Sequence, residues 1–279
     1  MAERDIVLCR DLVELSHKSA EQFSQLARES IEASGRLTVA FSGGSTPKHL
    51  YSLLASPAYK NRIQWNNVEL FWGDERCVPP DHTESNFRMA QEALLSNIEI
   101  PAENIHRMRG ERQPQAAAAE YEKELQKFFG LDSGGLPRFD LILLGIGEDG
   151  HTASLFPGSD ALAPSFILPR LTGEERGGGV AHDRPSQSHR GHSETETVHL
   201  VVAPFVEKLK SFRLTLTLPV LNNAADVWFL VAGSSKAGAV KQSFSSSSDL
   251  PAAKVQPVNG KLTWFITRDA APGIPAAGK

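Results

Sequence analysis

Short apolar runs alternate with longer amphipathic segments along most of the chain, and this alternation constrains the fold more than any other feature. The runs at 37–41, 68–72 and 141–144 are apolar at nearly every position, which is typical of strands buried on both faces. Strands that alternate with helices form parallel sheets, whose right-handed connections place helices on both faces. We therefore predict an α/β fold: a three-layer αβα sandwich with a mostly parallel, doubly wound, Rossmann-like sheet.

The same patterning predicts the remaining elements. Strands are expected at 5–9, 199–203, 213–218, 227–231 and 262–267. Helices are expected at 11–34, with Asp11 as N-cap and Gly35 as stop, and at 48–54, 86–98, 115–129 and 235–244. Ligands of such folds bind beyond the carboxyl ends of the strands, so polar residues that follow strands are the first candidates for a site.

One stretch, residues 170–197, departs from this pattern. It contains three consecutive glycines and many Ser, Thr, Glu and His residues, with almost no large apolar side chains. It cannot bury enough surface to offset the entropy of ordering it. We predict a mobile surface insertion within one domain that spans 1–279. His182, His189, His192 and His199 match no zinc-ligand spacing, so no metal site is predicted there.

Composition excludes several classes of protein. With 279 residues, of which 41% are hydrophobic and 22% charged, the chain can bury a globular core. The net charge of -4 argues against nucleic-acid binding through a broad basic surface, so an anionic ligand would need a local basic site. No apolar run reaches the roughly 18 residues needed to cross a bilayer, and the first ten residues lack a signal-peptide core. Cys9 and Cys77 are expected to be free thiols in a reducing cytosol.

The first candidate motif is Ser-Gly-Gly-Ser-Thr-Pro at 42–47, between a predicted strand and a predicted helix. Gly43 and Gly44 allow close approach of backbone N–H groups to an anion, while Ser45 and Thr46 add hydroxyls and Thr46 can cap the helix. A phosphate site and a tight turn that simply requires glycine both remain open here. The motif lacks the Gly-Lys-Ser/Thr ending of a P-loop.

A second glycine-rich segment, Gly-Ile-Gly-Glu-Asp-Gly-His, follows the strand at 141–144. It satisfies the dinucleotide-binding pattern, but Pro157 would interrupt the following helix, and the acidic residue that the pattern expects would fall in the polar insertion. The alternative is that the glycines bring Asp149 and His151 into a crevice at the sheet edge. Histidine suits a general base near neutral pH, and Asp149 could orient it.

Charged residues at three other strand or helix ends could reach the same crevice. Asp74 and Arg76 follow the strand at 68–72, where Arg76 could bind a carbonyl or phosphate oxygen or form a structural pair with Asp74. Arg213 opens a predicted strand, and Lys236 opens a predicted helix. The chain has no nucleophile elbow of the serine esterase type, which leaves water as the nucleophile if the reaction is hydrolysis.

Together these segments resemble the 6-phosphogluconolactonase family, which hydrolyses a phosphosugar lactone. The matching stretches are FSGGSTP (41–47), WGDERCVP (72–79), SNFRMA (85–90), GIGEDGHTASLFPG (145–158), RLTLT (213–217) and AGSSKA (232–237). They occur in one consistent order across nearly the whole chain. The insertion at 170–197 departs from the family pattern, which has a short connection there.

The resemblance implies a reaction and a set of roles. The reaction is hydrolysis of 6-phospho-D-glucono-1,5-lactone to 6-phosphogluconate, the second step of the oxidative pentose phosphate pathway, in the cytoplasm and without metal or organic cofactor. His151 would be the general base, Asp149 its neighbour, and Arg76 a substrate-lining cation and the candidate oxyanion stabiliser. The substrate and its 6-phosphate would be bound by Gly43, Gly44, Ser45, Thr46, Asp74, Arg213 and Lys236.

Two alternatives remain. The related glucosamine-6-phosphate deaminases share the Asp-Gly-His triplet but carry a catalytic glutamate shortly after the histidine. This chain has Ala-Ser-Leu-Phe-Pro at 153–157, without an acid. A non-catalytic sugar-phosphate sensor is disfavoured because His151 is present with its motif intact. We expect a small phosphosugar lactone as the only ligand class, with no nucleic-acid or membrane partner, and a monomer or weak homodimer.

Overall fold

The computed structural model describes residues 4–162, 198–271 and 273. The predicted insertion at 170–197, with His182, His189 and His192, lies outside these residues. Within the described part of the chain, no helix is both long and apolar enough to span a membrane.

The described strands and helices agree closely with the predicted alternation. The strands are β1 (Arg4–Cys9), β2 (Leu37–Phe41), β3 (Val68–Trp72), β4 (Asp74–Arg76), β5 (Ile105–His106), β6 (Leu141–Leu144), β7 (Val201–Val202), β8 (Phe205–Val206), β9 (Ser211–Leu216), β10 (Asp226–Val231) and β11 (Lys261–Thr267). The helices are α1 (Leu12–Ser34), α2 (Ser45–Leu54), α3 (Asn86–Ala93), α4 (Pro114–Phe129), α5 (Leu218–Asn222), α6 (Ala237–Ser243) and α7 (Pro251–Lys254).

A parallel sheet of seven described strands forms the centre of the molecule, in the order β1-β11-β10-β6-β2-β3-β5. The connections through α1, α2 and α3 move across the sheet in one direction, and those through α4 to α7 move in the other. Because parallel connections are right-handed, the two groups of helices cover opposite faces. The predicted α/β fold with a doubly wound parallel sheet is therefore confirmed. Strands β2 and β6 are buried at every position, as expected from sequences that are apolar apart from Thr38.

Local signals set the ends of the longest helix. Asp11 caps α1 by accepting a hydrogen bond from the backbone N–H of Glu14 at 2.8 Å. Gly35 ends the helix with a φ of +82°, a left-handed conformation that glycine adopts without strain. Both predicted caps are confirmed.

The structure differs from the predictions in three elements: the helix at 86–98, the strand at 213–218, and the strand at 199–203, which is β7 of a small second sheet. The predicted helix at 86–98 ends at Ala93, because the adjacent apolar residues Leu94 and Leu95 both turn into the core through a short 3₁₀ turn. The predicted strand at 213–218 is β9, which is not part of the parallel sheet. It pairs antiparallel with β4, β7 and β8 in a small second sheet. Its residues 214–216 are buried, as in a central parallel strand. The apolar pattern alone therefore could not distinguish a strand of the large parallel sheet from a strand of a small antiparallel one.

Candidate active site

A cavity of about 220 Å³ lies beyond the carboxyl ends of β2, β6 and β10, beside the short strand β4. Segments that follow these strands provide most of its wall. It is lined by Ser42, Gly43, Gly44, Ser45, Thr46, Pro47, Asp74, Arg76, Asn86, Gly145, Ile146, Gly147, His151, Ala153, Leu230, Val231, Ala232 and Lys236. All but two of the predicted site residues therefore lie on one cavity. The exceptions are Asp149, which contacts a lining residue, and Arg213.

The loop between β2 and α2 forms one side of this cavity. Gly44 is the N-cap residue, with a φ of +105°, and α2 begins at Ser45. The prediction that Thr46 caps the helix is therefore wrong. Gly44 occupies the cap position, and Thr46 lies in the first turn of the helix. The backbone N–H groups of this turn have no partner within the helix, and they border the cavity. This geometry suits an anion.

Two side chains hold this loop in place. The buried hydroxyl of Tyr51 accepts a hydrogen bond from the N–H of Ser42 at 3.0 Å and donates to its carbonyl at 2.9 Å. Asn86 packs directly against Gly43, where an added Cβ would lie 1.9 Å from Asn86 Oδ1. Only glycine fits at position 43 without displacement of Asn86.

The turn after β6 carries the imidazole of His151. The N–H of Gly147 donates to the carbonyl of His151 at 2.8 Å, which closes the turn, and Gly150 has a φ of +81°. A Cβ at position 147 would lie 2.0 Å from His151 Nδ1, so the ring packs onto the glycine backbone. The ring also stacks on Phe156, with ring centroids 4.3 Å apart and planes at 24°.

Asp149 determines which nitrogen of His151 can act as a base. Asp149 Oδ1 lies 2.5 Å from His151 Nδ1, so a neutral imidazole carries its proton on Nδ1 and offers the lone pair of Nε2. Partial burial alone would raise the pKa of Asp149. The hydrogen bond and charge of His151, with a contribution from Lys208, instead lower it to about 2. Lys208 Nζ lies 3.2 Å from Asp149 Oδ2.

Cationic side chains approach the cavity from two elements. Arg76 lies on β4 and donates to the carbonyl of Glu84. Lys236 lies in a short turn after β10, with Nζ 3.9 Å from Glu148 Oε1. These two cations and the N-terminus of α2 make this cavity suitable for a multiply charged anion.

Arg213 lies beside Arg76 but does not line the cavity. The two residues face each other across the β4–β9 ladder, and the Arg213 guanidinium donates to Ser211 Oγ and to the carbonyl of Phe212. Burial lowers the pKa of Arg213, and the adjacent positive charge of Arg76 adds to this effect. The structure therefore places Arg213 beside Arg76 on the same face of the β4–β9 ladder, outside the residues that line the cavity.

Asp74 is a buried carboxylate at the base of the cavity. Its Oδ2 accepts a hydrogen bond from Ser154 Oγ at 2.7 Å, and its backbone carbonyl accepts one from Asn86 Nδ2 at 2.9 Å. These contacts connect the turn that follows His151 to β4 and α3. Asp74 also borders the open volume, where its carboxylate is an acceptor for hydrogen-bond donors.

The sequence patterns did not assign roles to three residues of this site: Asn86, Ser154 and Lys208. Asn86 and Ser154 lie within recognisable motifs, but nothing in their spacing indicates the contacts with Asp74. Lys208 is 57 positions beyond His151 on the chain. It reaches Asp149 only because the small sheet folds over the carboxyl edge of the large one.

The segment after Gly150 does not form the helix of a dinucleotide-binding motif. Thr152 and Leu155 form a β-bridge instead, and a turn follows at Pro157. Residues 151–158 therefore provide no helix N-terminus that could hold a pyrophosphate. Among the described residues, no cluster of three or more His, Cys, Asp or Glu side chains is arranged to hold a metal ion.

Comparison with known proteins identifies related sequences. The family model described as glucosamine-6-phosphate isomerases/6-phosphogluconolactonase matches residues 10–175 and 185–264. A 6-phosphogluconolactonase of Synechocystis sp. is 39% identical over 250 residues, which cover 88% of each chain. A 6-phosphogluconolactonase of Nostoc sp. is 38% identical over 247 residues, which cover 87% of this chain and 86% of the relative.

Solved structures share the fold over nearly the whole chain. The 6-phosphogluconolactonase of Trypanosoma brucei superposes with a TM-score of 0.78 at 26% identity, covering 99% of this chain and 100% of its own. A monomeric glucosamine-6-phosphate deaminase superposes with a TM-score of 0.69, covering 95% and 98%, but at 19% identity this likeness concerns the fold alone. From the extent of the family match and the identity to these relatives, the chain belongs to the family of glucosamine-6-phosphate isomerases and 6-phosphogluconolactonases.

Proposed function

We propose that the chain hydrolyses 6-phosphogluconolactone to 6-phosphogluconate in the pentose phosphate pathway. The observation that carries this proposal is the position of His151, whose Nδ1 is bound by Asp149, on the same cavity as the N-terminus of α2 and Lys236. A base and an anion site on one small cavity suit an ester that carries a phosphate at a distance from its reacting carbonyl. The curated relatives named above bear the name of this activity.

The loop at 43–46 and Lys236 bind the 6-phosphate. This interaction is remote from the reacting carbon, so its binding energy fixes the orientation of the lactone ring. The backbone N–H groups of α2 and the ammonium of Lys236 both stabilise the phosphate dianion.

His151 acts as the general base. Its Nε2 takes a proton from a water molecule as the water oxygen attacks the lactone carbonyl, and Asp149 stabilises the imidazolium that forms. Collapse of the tetrahedral intermediate breaks the bond to the ring oxygen, which receives that proton from His151. The products are a carboxylic acid, which ionises, and a sugar hydroxyl. Arg76 stabilises the negative charge that develops on the carbonyl oxygen.

Deamination of glucosamine 6-phosphate is the rival activity within the family. The position of Phe156 argues against it, because an apolar ring stacks on His151 in the segment where the resemblance to the deaminases would require an acid. An assay with glucosamine 6-phosphate as substrate separates the two activities directly.

The test is hydrolysis of freshly prepared 6-phosphogluconolactone by the purified protein, measured above the spontaneous rate. We expect His151→Ala to lower kcat by about 10²–10⁴-fold, the usual contribution of a positioned base. His17→Ala is the matched control and should retain full activity, because His17 lies on α1, outside the cavity, and contacts Tyr59. A folded His151→Ala variant with unchanged turnover would remove His151 from this role. Tight binding of 6-phosphogluconate by an unmodified protein that does not hydrolyse the lactone would instead indicate a sensor.

A further inference from the structure

Glu75 is a buried acidic residue whose side chain points away from the cavity. It is 2% exposed and lies between Asp74 and Arg76 on β4, so its side chain lies on the opposite face of the strand from theirs. Among the described residues, no cation forms an ion pair with Glu75. Such a carboxylate needs several hydrogen-bond donors to be stable away from water.

Four donors surround the Glu75 carboxylate. Oε1 accepts hydrogen bonds from the backbone N–H groups of Arg76 at 2.8 Å and Asn86 at 2.7 Å. Oε2 accepts from the backbone N–H of Phe87 at 2.8 Å and from Ser85 Oγ at 3.1 Å. Burial raises the pKa of Glu75, and the three backbone hydrogen bonds oppose that shift. The carboxylate thereby joins β4 to the first turn of α3, whose dipole also favours negative charge there.

Both segments joined by Glu75 carry cavity-lining side chains. On β4 these are Asp74 and Arg76, and on α3 it is Asn86. Asn86 in turn bonds to the carbonyl of Asp74 and packs on Gly43 of the loop between β2 and α2. One buried carboxylate therefore fixes the spacing between the cation at one side of the cavity and the loop at the other.

We propose that Glu75 is a positioning residue for the hydrolysis, acting through Arg76 and Asn86 without touching the substrate. The assignment deepens the proposed function and rests on it. A purely structural helix cap would stabilise α3 and leave the chemistry unchanged. A positioning residue instead changes the kinetics of fully folded enzyme, since Arg76 and Gly43 must keep a fixed distance to bind the two ends of one substrate.

The test is Glu75→Gln, which keeps the shape of the side chain but replaces one acceptor oxygen with an NH₂ group. That group cannot accept a hydrogen bond from a backbone N–H, so one side of the link is lost. We expect kcat/KM for 6-phosphogluconolactone to fall about tenfold or more, measured at a temperature where circular dichroism shows the variant fully folded. Loss of folded protein alone would lower kcat in proportion to the unfolded fraction and leave KM unchanged.

Asp140→Asn is the matched control. Asp140 Oδ2 accepts hydrogen bonds from the N–H and the hydroxyl of Thr38, at the amino edge of the sheet and therefore on the far side from the cavity. This variant should lose thermal stability but keep kcat/KM within about twofold of wild type. Equal losses of kcat/KM in the two folded variants, or a folded Glu75→Gln variant with wild-type kinetics, would overturn the assignment.

Two further measurements keep the test decisive. If Glu75→Gln does not fold, Ser85→Ala removes one donor to Glu75, together with the N-cap oxygen that accepts from the N–H of Arg88. It should lower kcat/KM about two- to fivefold in fully folded protein, while unchanged kinetics would count against the proposal. If the wild-type protein lacks lactonase activity, the proposed function is wrong, but the role of Glu75 in positioning side chains can still be tested. The positioning role is then tested by crystal structures of wild type and Glu75→Gln, in which Arg76 and Asn86 should be displaced in the variant. Unmoved side chains would reject the role.

Discussion

At the scale of single residues, the proposed chemistry depends on the imidazole of His151, which neighbouring residues hold in one orientation. Gly147, Phe156 and Asp149 each contact the ring of His151, so its orientation and tautomer are fixed before substrate binds. A base held in this way loses little entropy during the reaction. The sequence could predict His151 and Asp149 from their place after a buried strand. It could not predict the stacking of Phe156, because that contact depends on the turn at 152–155.

The Asp149–His151 hydrogen bond leads to a prediction for Asp149→Asn. The pKa of Asp149 is about 2, so the carboxylate is ionised throughout the neutral range and always accepts the Nδ1 proton. An amide can instead donate to Nδ1, which moves the ring proton to Nε2 and removes the base. We expect kcat to fall by about 10²-fold or more, with a smaller change in KM. The measurement is steady-state lactone hydrolysis.

The exposed residue Asp160 provides the control for this change. Asp160→Asn removes the same charge nine positions beyond His151, outside the residues that line the cavity, and should leave kcat unchanged. If Asp149→Asn retained wild-type kcat in folded protein, the orientation of His151 would not depend on this carboxylate.

At the scale of elements, the position of the loop at 43–46 depends on how closely α2 and α3 approach each other. Gly43 lies at their contact, where any side chain would overlap Asn86. We therefore expect Gly43→Ala to displace the loop and raise KM for 6-phosphogluconolactone about tenfold or more. Hydrolysis of unphosphorylated gluconolactone should change much less, because that substrate makes no phosphate contacts. Comparison of KM for the two lactones is the measurement.

Gly238→Ala is a matched substitution within α6. A Cβ at this position meets no atom within 4 Å, so alanine should be tolerated and should favour the helix. KM for both lactones should stay at its wild-type value. If Gly43→Ala raised KM equally for both lactones, Gly43 would have no specific role in phosphate binding.

Element positions were predictable where one periodicity dominates. The ends of β2, β6 and α1 were predicted within one or two residues. Strands buried on both faces have almost entirely apolar sequences, and α1 has recognisable cap residues at both ends. The pairing of β9 could not be predicted, because an antiparallel strand and a central parallel strand can have the same apolar residues. As a result, we expected Arg213 to line the crevice, whereas it lies beside Arg76 on β9 and outside the residues that line the cavity.

At the scale of the whole molecule, the cavity exists only because two sheets meet. The large sheet contributes the loops after β2, β6 and β10, and the small sheet contributes Arg76 through β4. These segments are separated by tens of residues along the chain, so the site forms only in the complete fold. Motif order could predict most of the candidate residues that line this cavity, while Asn86 and the distances between the side chains depend on packing that no local pattern encodes.

The outer edge of the large sheet carries a pH-dependent contribution to the stability of the whole fold. His106 on β5 lies between Glu124, 2.7 Å from Nδ1, and Glu69, 3.1 Å from Nε2, and its ring stacks on Phe71. Burial alone would lower the pKa of His106, but the hydrogen bonds and charges of the two glutamates outweigh it and raise the pKa. Protonated His106 therefore stabilises the folded state fully below the unfolded pKa of about 6.5. This contribution is lost as the pH rises through the higher pKa of the folded state.

We expect the Tm of wild type to fall between pH 6 and pH 8.5 by about 2–4 °C more than the Tm of His106→Gln, because glutamine carries no titrating proton. The measurement is thermal unfolding followed by circular dichroism at matched ionic strength. His17→Gln, which leaves the His106 contacts intact, should keep the wild-type pH dependence. Parallel Tm curves for wild type and His106→Gln would contradict the prediction. A difference between the two curves would show that the edge strand contributes to the cooperative unfolding of the sheet that supports the site.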